Sequence, residues 1–483
     1  MKAKRLTFHS FILMMFILSG CMSDDRMKTV EVNQQAAESK SNAQNTRSTQ
    51  TVTNEPKADL TPLFEEVKHL EGQEALAYFE SLPTKGLSNS DILDFFIQLP
   101  LSNANEDIVN LFKNDQFQLY MNTYPTGEPF GNYRWTMGSG TEITGSFSNL
   151  DLKLPFTDYI YLKEGPVGDP TKTYRIGVAT HGFDQPWNVG LADAAKWQSD
   201  KHSNIELDVR DAQWDNDRMA DIIDSFILQK VDGILTWPMV ESETTIAPVK
   251  RAIEGGIPVV SVDRMTGYEQ TTSRVTGNFP ANGAQNGMYL IQKLAQEGDL
   301  HANVILLRKP LGSTADAIRT GHFLKVLSYF PEINILKSYH DADHSAHALA
   351  NMQEALNEFP IIDVVFNTGD HQAIAAYDAT KSADRLNSRK DGKKVIFLSI
   401  DDSKTAINAV RDGLFEVNTP YTPFISDIGI RALVHLITEN DSIPHDIITP
   451  NIPMVTRDGA TIFGFKTQSP DDWYEYTFGA SLE

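Results

Sequence analysis

The spacing of apolar residues changes along the chain, and the changes divide it into parts. From Thr173 onward, short apolar runs alternate with stretches of helical period. The first run, Tyr174, Ile176 and Val178, reads as a strand, with Gly177 small enough for a neighbour to pack close. It breaks at His181-Gly182-Phe183-Asp184-Gln185, and Pro186 suits the first turn of a helix. That helix is expected to run from about Pro186 to Lys201, packing through Val189, Leu191, Ala194, Ala195 and Trp197. The pattern then predicts a strand at Ile205–Val209, a helix over about Asp217–Lys230 and a strand at Gly233–Trp237. A helix over Ser242–Glu254, ended by Gly255-Gly256, and a strand at Ile257–Val262 follow.

A second set repeats the alternation. Helices are predicted over Asn282–Gln296, Thr314–Phe330, Ser345–Glu358, Gln372–Lys381 and Lys404–Arg411. Strands are predicted at Asn303–Leu307, Ile333–Ser338, Val364–Phe366 and Val395–Ile400. Alternation of this kind predicts α/β architecture with parallel sheets flanked by helices. Two sets joined by a few crossings make two lobes, and the cleft between them is a preferred small-molecule site. Open parallel sheets bind ligands at the carboxyl ends of their strands, so the turn after the Tyr174 strand is an expected contact point.

The chain before Thr173 reads differently. Lys2, Lys4 and Arg5, the apolar run Phe11–Leu18 and the small residues Ser19-Gly20 lay out a signal peptide over 1–20, too short for a membrane span. Residues 21–58 are polar and poor in large apolar side chains, as a flexible tether would be. Residues 59–165 form an added α+β segment. Its helical patterns include Leu63, Phe64, Val67, Leu70 and Ile92–Ile97, with Ser90 and Asp91 as start signals, and β-like pieces follow from Phe117 to Lys163. The segment reads either as packed against the main body or as a separate module, and either as a partner-docking surface or as a structural extension. Gly165–Pro170 is a linker by composition.

Composition narrows the function classes. The 483 residues suffice for two or three domains, and 41% hydrophobic content supports sizeable cores. A net charge of −22, from 64 acidic and 42 basic residues, argues against a nucleic-acid partner. Cys21 is the single cysteine, which rules out an intramolecular disulfide and a thiolate metal cluster. There is no G-x-S-x-G elbow and no Walker-type phosphate loop, so no catalytic constellation points to an enzyme, and no cofactor is expected. His340, His344 and His347 with Asp341 and Asp343 form a small cluster that reads as solvated loop histidines rather than a metal site.

Several segments then match one pattern in order. These are IGVAT followed by Gln185-Pro186-Trp187, then Asp211-Ala212-Gln213-Trp214-Asp215, then Val231–Leu235, then Gly256 to Asp263-Arg264. Together they resemble the periplasmic sugar-binding proteins of the ribose and galactose type, over about Thr173 to Asp458. The resemblance implies a two-lobed periplasmic binding protein type 1 fold, with residues 173–279 and 422–447 as the first lobe. Residues 280–421 and 448–465 would be the second lobe, and 466–483 a C-terminal tail. It also implies that Trp187 stacks on a sugar face, that Gln185 gives a polar contact, and that Asp263, Arg264 and Asp401 hold ring hydroxyls. Carboxylates and guanidinium groups offer paired acceptors and donors for vicinal hydroxyls, and aromatic faces cover a sugar's C–H face. Asp263-Arg264 also reads as a strand-end salt bridge, and Trp187 as core. Asp211, Trp214 and Trp237 fall near strand ends on the same expected rim. In the second lobe the family's arginine position carries Ala317, leaving Arg319. Its asparagine position carries Gly369, with Asn367 and Asp370 nearby, and Tyr421 replaces a late glutamine.

Leu18-Ser19-Gly20-Cys21 resembles the lipobox of bacterial lipoproteins, which implies cleavage before Cys21 and its acylation. The expectation is an exported periplasmic protein, membrane-anchored at the inner or outer membrane face and monomeric. It would bind a small sugar-like molecule and work with an ABC permease, or with a sensor kinase, in the inner membrane.

Overall fold

In the computed structural model the described residues are 58–114, 132–136, 142–146, 162–183, 185–238, 242–264, 271–342, 344–438, 443, 445–449 and 451–473. The export signal, Cys21 and nearly all of the tether lie outside them. So do the β-like pieces expected around residues 147 and 159–161, and Asp343 of the histidine cluster.

Four helices open the described chain: α1 (Thr61–Val67), α2 (Gly72–Ser81), α3 (Asn89–Gln98) and α4 (Glu106–Asn114). The start of α3 is one signal earlier than expected. Ser88 is its N-cap, its hydroxyl accepting from the Asp91 N–H at 3.1 Å while the Asp91 carboxylate accepts from the Ser88 N–H at 3.0 Å. Strands β1 (Asn132–Thr136) and β2 (Glu142–Ser146) form an antiparallel pair.

The next strands, β3 (Tyr174–Thr180), β4 (Ile205–Asp211), β5 (Gly233–Trp237), β6 (Val259–Val262) and β7 (Ser273–Thr276), are parallel. With the late strand β13 (Asp446–Ile448) they make one six-stranded sheet in the order β13-β7-β6-β5-β3-β4. Helices α5 (Pro186–Ser199), α6 (Asn216–Gln229) and α7 (Glu243–Glu254) connect its strands. The second sheet has the order β14-β12-β11-β10-β8-β9. It is built from β8 (Ala302–Leu307), β9 (Ile333–Tyr339), β10 (Val364–Asn367), β11 (Ile396–Ile400), β12 (Val417–Thr419) and an antiparallel edge, β14 (Val455–Thr456). Its helices are α8 (Phe279–Glu297), α9 (Thr314–Leu327), α10 (Ser345–Glu358), α11 (Asp370–Ser382) and α12 (Lys404–Arg411). Helix α13 (Ile425–Thr438) returns to the first sheet and packs on β5, β6, β7 and α5. The chain therefore passes between the sheets at about residue 277, at 420–424 and at 449–453.

Three features depart from the expectation. Helix α8 starts three residues early, because Asn278 caps it by accepting from the Ala281 N–H at 2.8 Å and Pro280 fits its first turn. Strands β7, β12, β13 and β14 and helix α13 were not anticipated; α13 carries Asp427, Arg431 and His435 one turn apart, and that polar stripe is buried with the rest of the helix from Ile425 to His435. The stretch expected as a C-terminal tail is, to Trp473, part of the body. The Gln468 N–H donates to the Met454 carbonyl at 3.0 Å, and Trp473 packs beside Ala194 and Phe424.

The added helices pack on the second lobe. Phe79 meets Phe96 at 4.9 Å, and Tyr329, Phe330 and Phe463 at 5.8, 6.0 and 5.8 Å, centroid to centroid. The Asn105 amide donates to the Phe330 and Ile333 carbonyls at 3.0 and 2.7 Å, and the Tyr329 hydroxyl donates to the Pro100 carbonyl at 3.0 Å. Covered by α4 on one side and α8 on the other, α9 is buried at thirteen of its fourteen positions. That burial removes the amphipathic stripe a surface helix would carry.

Candidate functional site

Asp263 and Asp401 stand just past the carboxyl ends of β6 and β11, one in each lobe, both with left-handed backbone (φ 65° and 81°). A left-handed residue other than glycine costs about 1–2 kcal/mol, and such residues cluster at functional sites. Trp214 after β4 (φ 64°) and Asp341 after β9 (φ 68°) repeat the correspondence at the neighbouring strand ends.

The two carboxylates are linked through Tyr421, which lies on the second crossing. The Tyr421 hydroxyl donates to Asp263 Oδ1 at 2.9 Å and accepts from the Gly277 N–H at 3.3 Å. Its ring contacts those of Trp187 (5.2 Å, 23° between planes) and Phe279 (5.0 Å, 33°). The Arg319 guanidinium sits 4.6 Å from the Tyr421 ring centroid, donating to Asp401 Oδ1 at 2.9 Å and to the Thr368 carbonyl at 2.7 Å. Arg264 Nε lies 3.4 Å from Asp263 Oδ2. Trp187 Nε1 donates to the Tyr421 carbonyl at 2.8 Å, tying the start of α5 to the crossing.

Burial pushes the Asp263 carboxyl up from its ordinary range, against the pull of Arg264, Arg319 and Lys309 and the hydrogen bond from Tyr421. Burial and the nearby Asp263 charge push the Tyr421 phenol up as well.

The other expected residues divide. Gln185 is the N-cap of α5, half-buried beside Trp187. Trp214 stands at the interlobe face, with its ring 4.7 Å from His181 of its own lobe and 4.7 Å from His344 of the other. His344 is thus part of a ring contact, which also includes His347 at 5.5 Å. Trp237 departs from the expected rim. It is fully buried in the main hydrophobic cluster, because β5 is central in its sheet, and its carbonyl faces His181 Nδ1 at 2.9 Å. Asp211 accepts from the Gln213 N–H at 2.8 Å and turns the chain after β4. Asn367 donates to the Val365 and Leu398 carbonyls, inside the sheet. Asp370 accepts from the His371 and Ser403 N–H groups at 2.7 and 3.0 Å; burial would raise its pKa, but the His371 side chain and hydrogen bonds from Ser403 hold it below the usual range. Asp211, Asn367 and Asp370 thus spend these polar atoms on their own lobes, apart from the Asp263–Tyr421–Arg319–Asp401 line. Ala317 is buried core, and Gly369 is the N-cap of α11.

Phe279, Lys309 and His181 belong to this neighbourhood and were not singled out as contacts. The Asn278-Phe279-Pro280 cap signal was present for the first. Nothing local marks Lys309, which acts on Asp263 from the other lobe.

Residues 176–440 match the family model described as the periplasmic binding protein domain. The chain is similar to the xylitol-binding protein of Mycolicibacterium smegmatis, 25% identical over 62% of this chain and 81% of that protein. Among solved structures it is similar to the periplasmic binding component of the arabinose ABC transporter from Shewanella sp. ANA-3 (TM-score 0.53, 24% identity, 59% of this chain and 92% of that one). It is also similar to the fructose-binding periplasmic domain of a hybrid two-component system (TM-score 0.52, 24% identity, 59% and 91%). With more than half of its length in the family match and two parallel sheets joined by three crossings, the chain belongs to the periplasmic binding protein family, in its two-lobed type 1 form.

Proposed function

We propose that the chain is an exported, lipid-anchored solute-binding protein that closes its lobes on a small sugar or sugar-like molecule and presents it to an ABC permease. Its family is one of substrate-binding proteins rather than enzymes. The observation that carries the reading is the convergence of Asp263 and Arg264 from one lobe, Arg319 and Asp401 from the other, and the Trp187–Tyr421 rings at the crossing. Groups of both charges beside aromatic faces suit a polyhydroxylated ligand. The ligands named for the similar proteins, xylitol and arabinose, support the class. Residues 173–279 with 422–447 and residues 280–421 with 448–465 work as the two closing lobes, moving about the crossings. Cys21 carries the anchor, and a Cys21→Ser protein should move from the membrane to the soluble fraction.

The deciding experiment is calorimetric titration of the protein with a panel of sugars and polyols. We expect one binder, with affinity reduced at least about tenfold by Asp263→Ala, as loss of a charge-assisted hydrogen bond implies. A binder indifferent to Asp263→Ala places the site elsewhere.

A second reading is a ligand-sensing subunit on a membrane sensor kinase. The helices from Thr61 to Asn114 favour it, since they add a face to the second lobe that ligand capture does not use. Co-purification with a kinase rather than with permease subunits would select it.

A further inference from the structure

We infer that Tyr421 is a built-in occupant of the place a ring sugar would take, so that the ligand of this cleft is an open-chain polyol. The inference rests on the proposed function and narrows its ligand class.

Three features of a bound sugar ring are reproduced by one side chain. A six-membered ring lies against the Trp187 indole, at 5.2 Å and 23°. A hydroxyl on that ring donates to Asp263 Oδ1 at 2.9 Å. A guanidinium, that of Arg319, stands 4.6 Å from the ring centroid. The ring is also seated on backbone: a Cβ added at Gly277 would lie 2.0 Å from Tyr421 Cε2, so this position leaves no room for a side chain while the tyrosine is in place. Phe279 packs against the ring at 5.0 Å, and Tyr421 is 3% exposed. Arg319 is spent on Asp401 and on the Thr368 carbonyl. One indole face, one oxygen of Asp401 and one of Asp263 are therefore taken by the protein itself, and the second Asp263 oxygen faces Arg264 Nε at 3.4 Å. A pyranose or furanose would have to compete with Tyr421 for the indole face and for Asp263. A narrow polyol chain needs no ring-sized stacking face, and it reaches the remaining polar groups through successive hydroxyls.

Calorimetry with erythritol and sorbitol as open-chain probes and ribose and galactose as ring probes tests this on the wild type, Tyr421→Ala and Tyr421→Phe. The wild type should bind an open-chain probe and neither ring probe. Tyr421→Ala should gain at least about tenfold in affinity for a ring probe, the worth of one aromatic stack and one hydroxyl–carboxylate bond together. Tyr421→Phe keeps the ring and should still exclude ring probes. Should Tyr421→Ala not fold, Tyr421→Leu keeps an apolar body at the crossing and asks the same question. Tight binding of a ring probe by the wild type overturns the inference, as does its admission by Tyr421→Phe to the level of Tyr421→Ala. If Asp263→Ala abolishes polyol binding and Tyr421→Ala admits no ring probe, the inference alone fails. If Asp263→Ala leaves binding intact, the site assignment beneath it fails.

Discussion

At the scale of single residues, the second lobe hides a titratable group that the cleft does not use. His322 on α9 is buried, and burial, with the nearby Lys325 charge, pushes its pKa down to about 3. Its Nδ1 lies 2.8 Å from the Ile318 carbonyl, so the neutral ring donates there. Because the folded value lies below the unfolded one, His322 contributes stability that is present above pH 6.5 and lost as pH falls from 6.5 towards 3. His322→Phe should flatten the pH dependence of unfolding free energy in that window by ~1.4 kcal/mol per pH unit. Urea titrations at successive pH values measure it, and an unchanged slope would count against a neutral, buried imidazole. Asp263 carries the opposite sign. Its raised pKa contributes stability that is full below 3.8 and lost as pH rises through its folded value. The two sites are therefore compared within one pH series.

At the scale of elements, the α8–α9 contact holds the second lobe's site residues in place. Gly283 and Gly287 lie one helical turn apart on the face of α8 that meets α9. A Cβ at Gly283 would stand 1.9 Å from the Arg319 carbonyl oxygen, and one at Gly287 would stand 2.8 Å from Val326 Cβ. The backbones approach this closely because side chains are absent. Gly283→Ala should cost about 1–3 kcal/mol of stability through overpacking. It should also weaken ligand binding, because the helix that must shift carries Arg319. A variant with native stability and native affinity would show that the helices can separate without disturbing the site. Other faces of α8 hold the crossings: Asn286 donates to Thr419 Oγ1 at 2.8 Å, and Gln285 to Asn451 Oδ1 at 2.9 Å. One helix thus orients both the site and the hinge.

At the scale of the whole molecule, the lobes touch across the cleft. Trp214 lies between His181 and His344, and Tyr421 lies under Arg319. If the Trp214–His344 contact helps hold the closed form, Trp214→Ala should speed ligand release more than it slows capture. Loss of an aromatic contact of ~0.5–1.5 kcal/mol gives a rise of about two- to tenfold in the dissociation rate. Stopped-flow displacement reads that rate, and a slower association with unchanged release would refute the latch.

Much of this was legible in the chain itself. The alternation of apolar runs with helical stretches determined the α/β architecture, because period-two and 3.6-residue patterns are local properties. Asp263-Arg264, Trp187 and Asp401 stood out through the resemblance to the sugar-binding proteins, which is carried by short motifs of neighbours in sequence. Helix α13 was not anticipated although Asp427, Arg431 and His435 recur in it every four residues; only the structure shows that this polar stripe is buried. Tyr421 was recognisable as a substitution. Its bond to Asp263, 158 residues away, and its stacking on Trp187 depend on three crossings that bring distant segments together. The added helices showed their period in the sequence, but only packing against Tyr329, Phe330 and Phe463 decided which lobe they cover. Local pattern determined which elements form. Tertiary structure decided which side chains spend their polar groups on one another, because that depends on long-range proximity that no window of sequence contains.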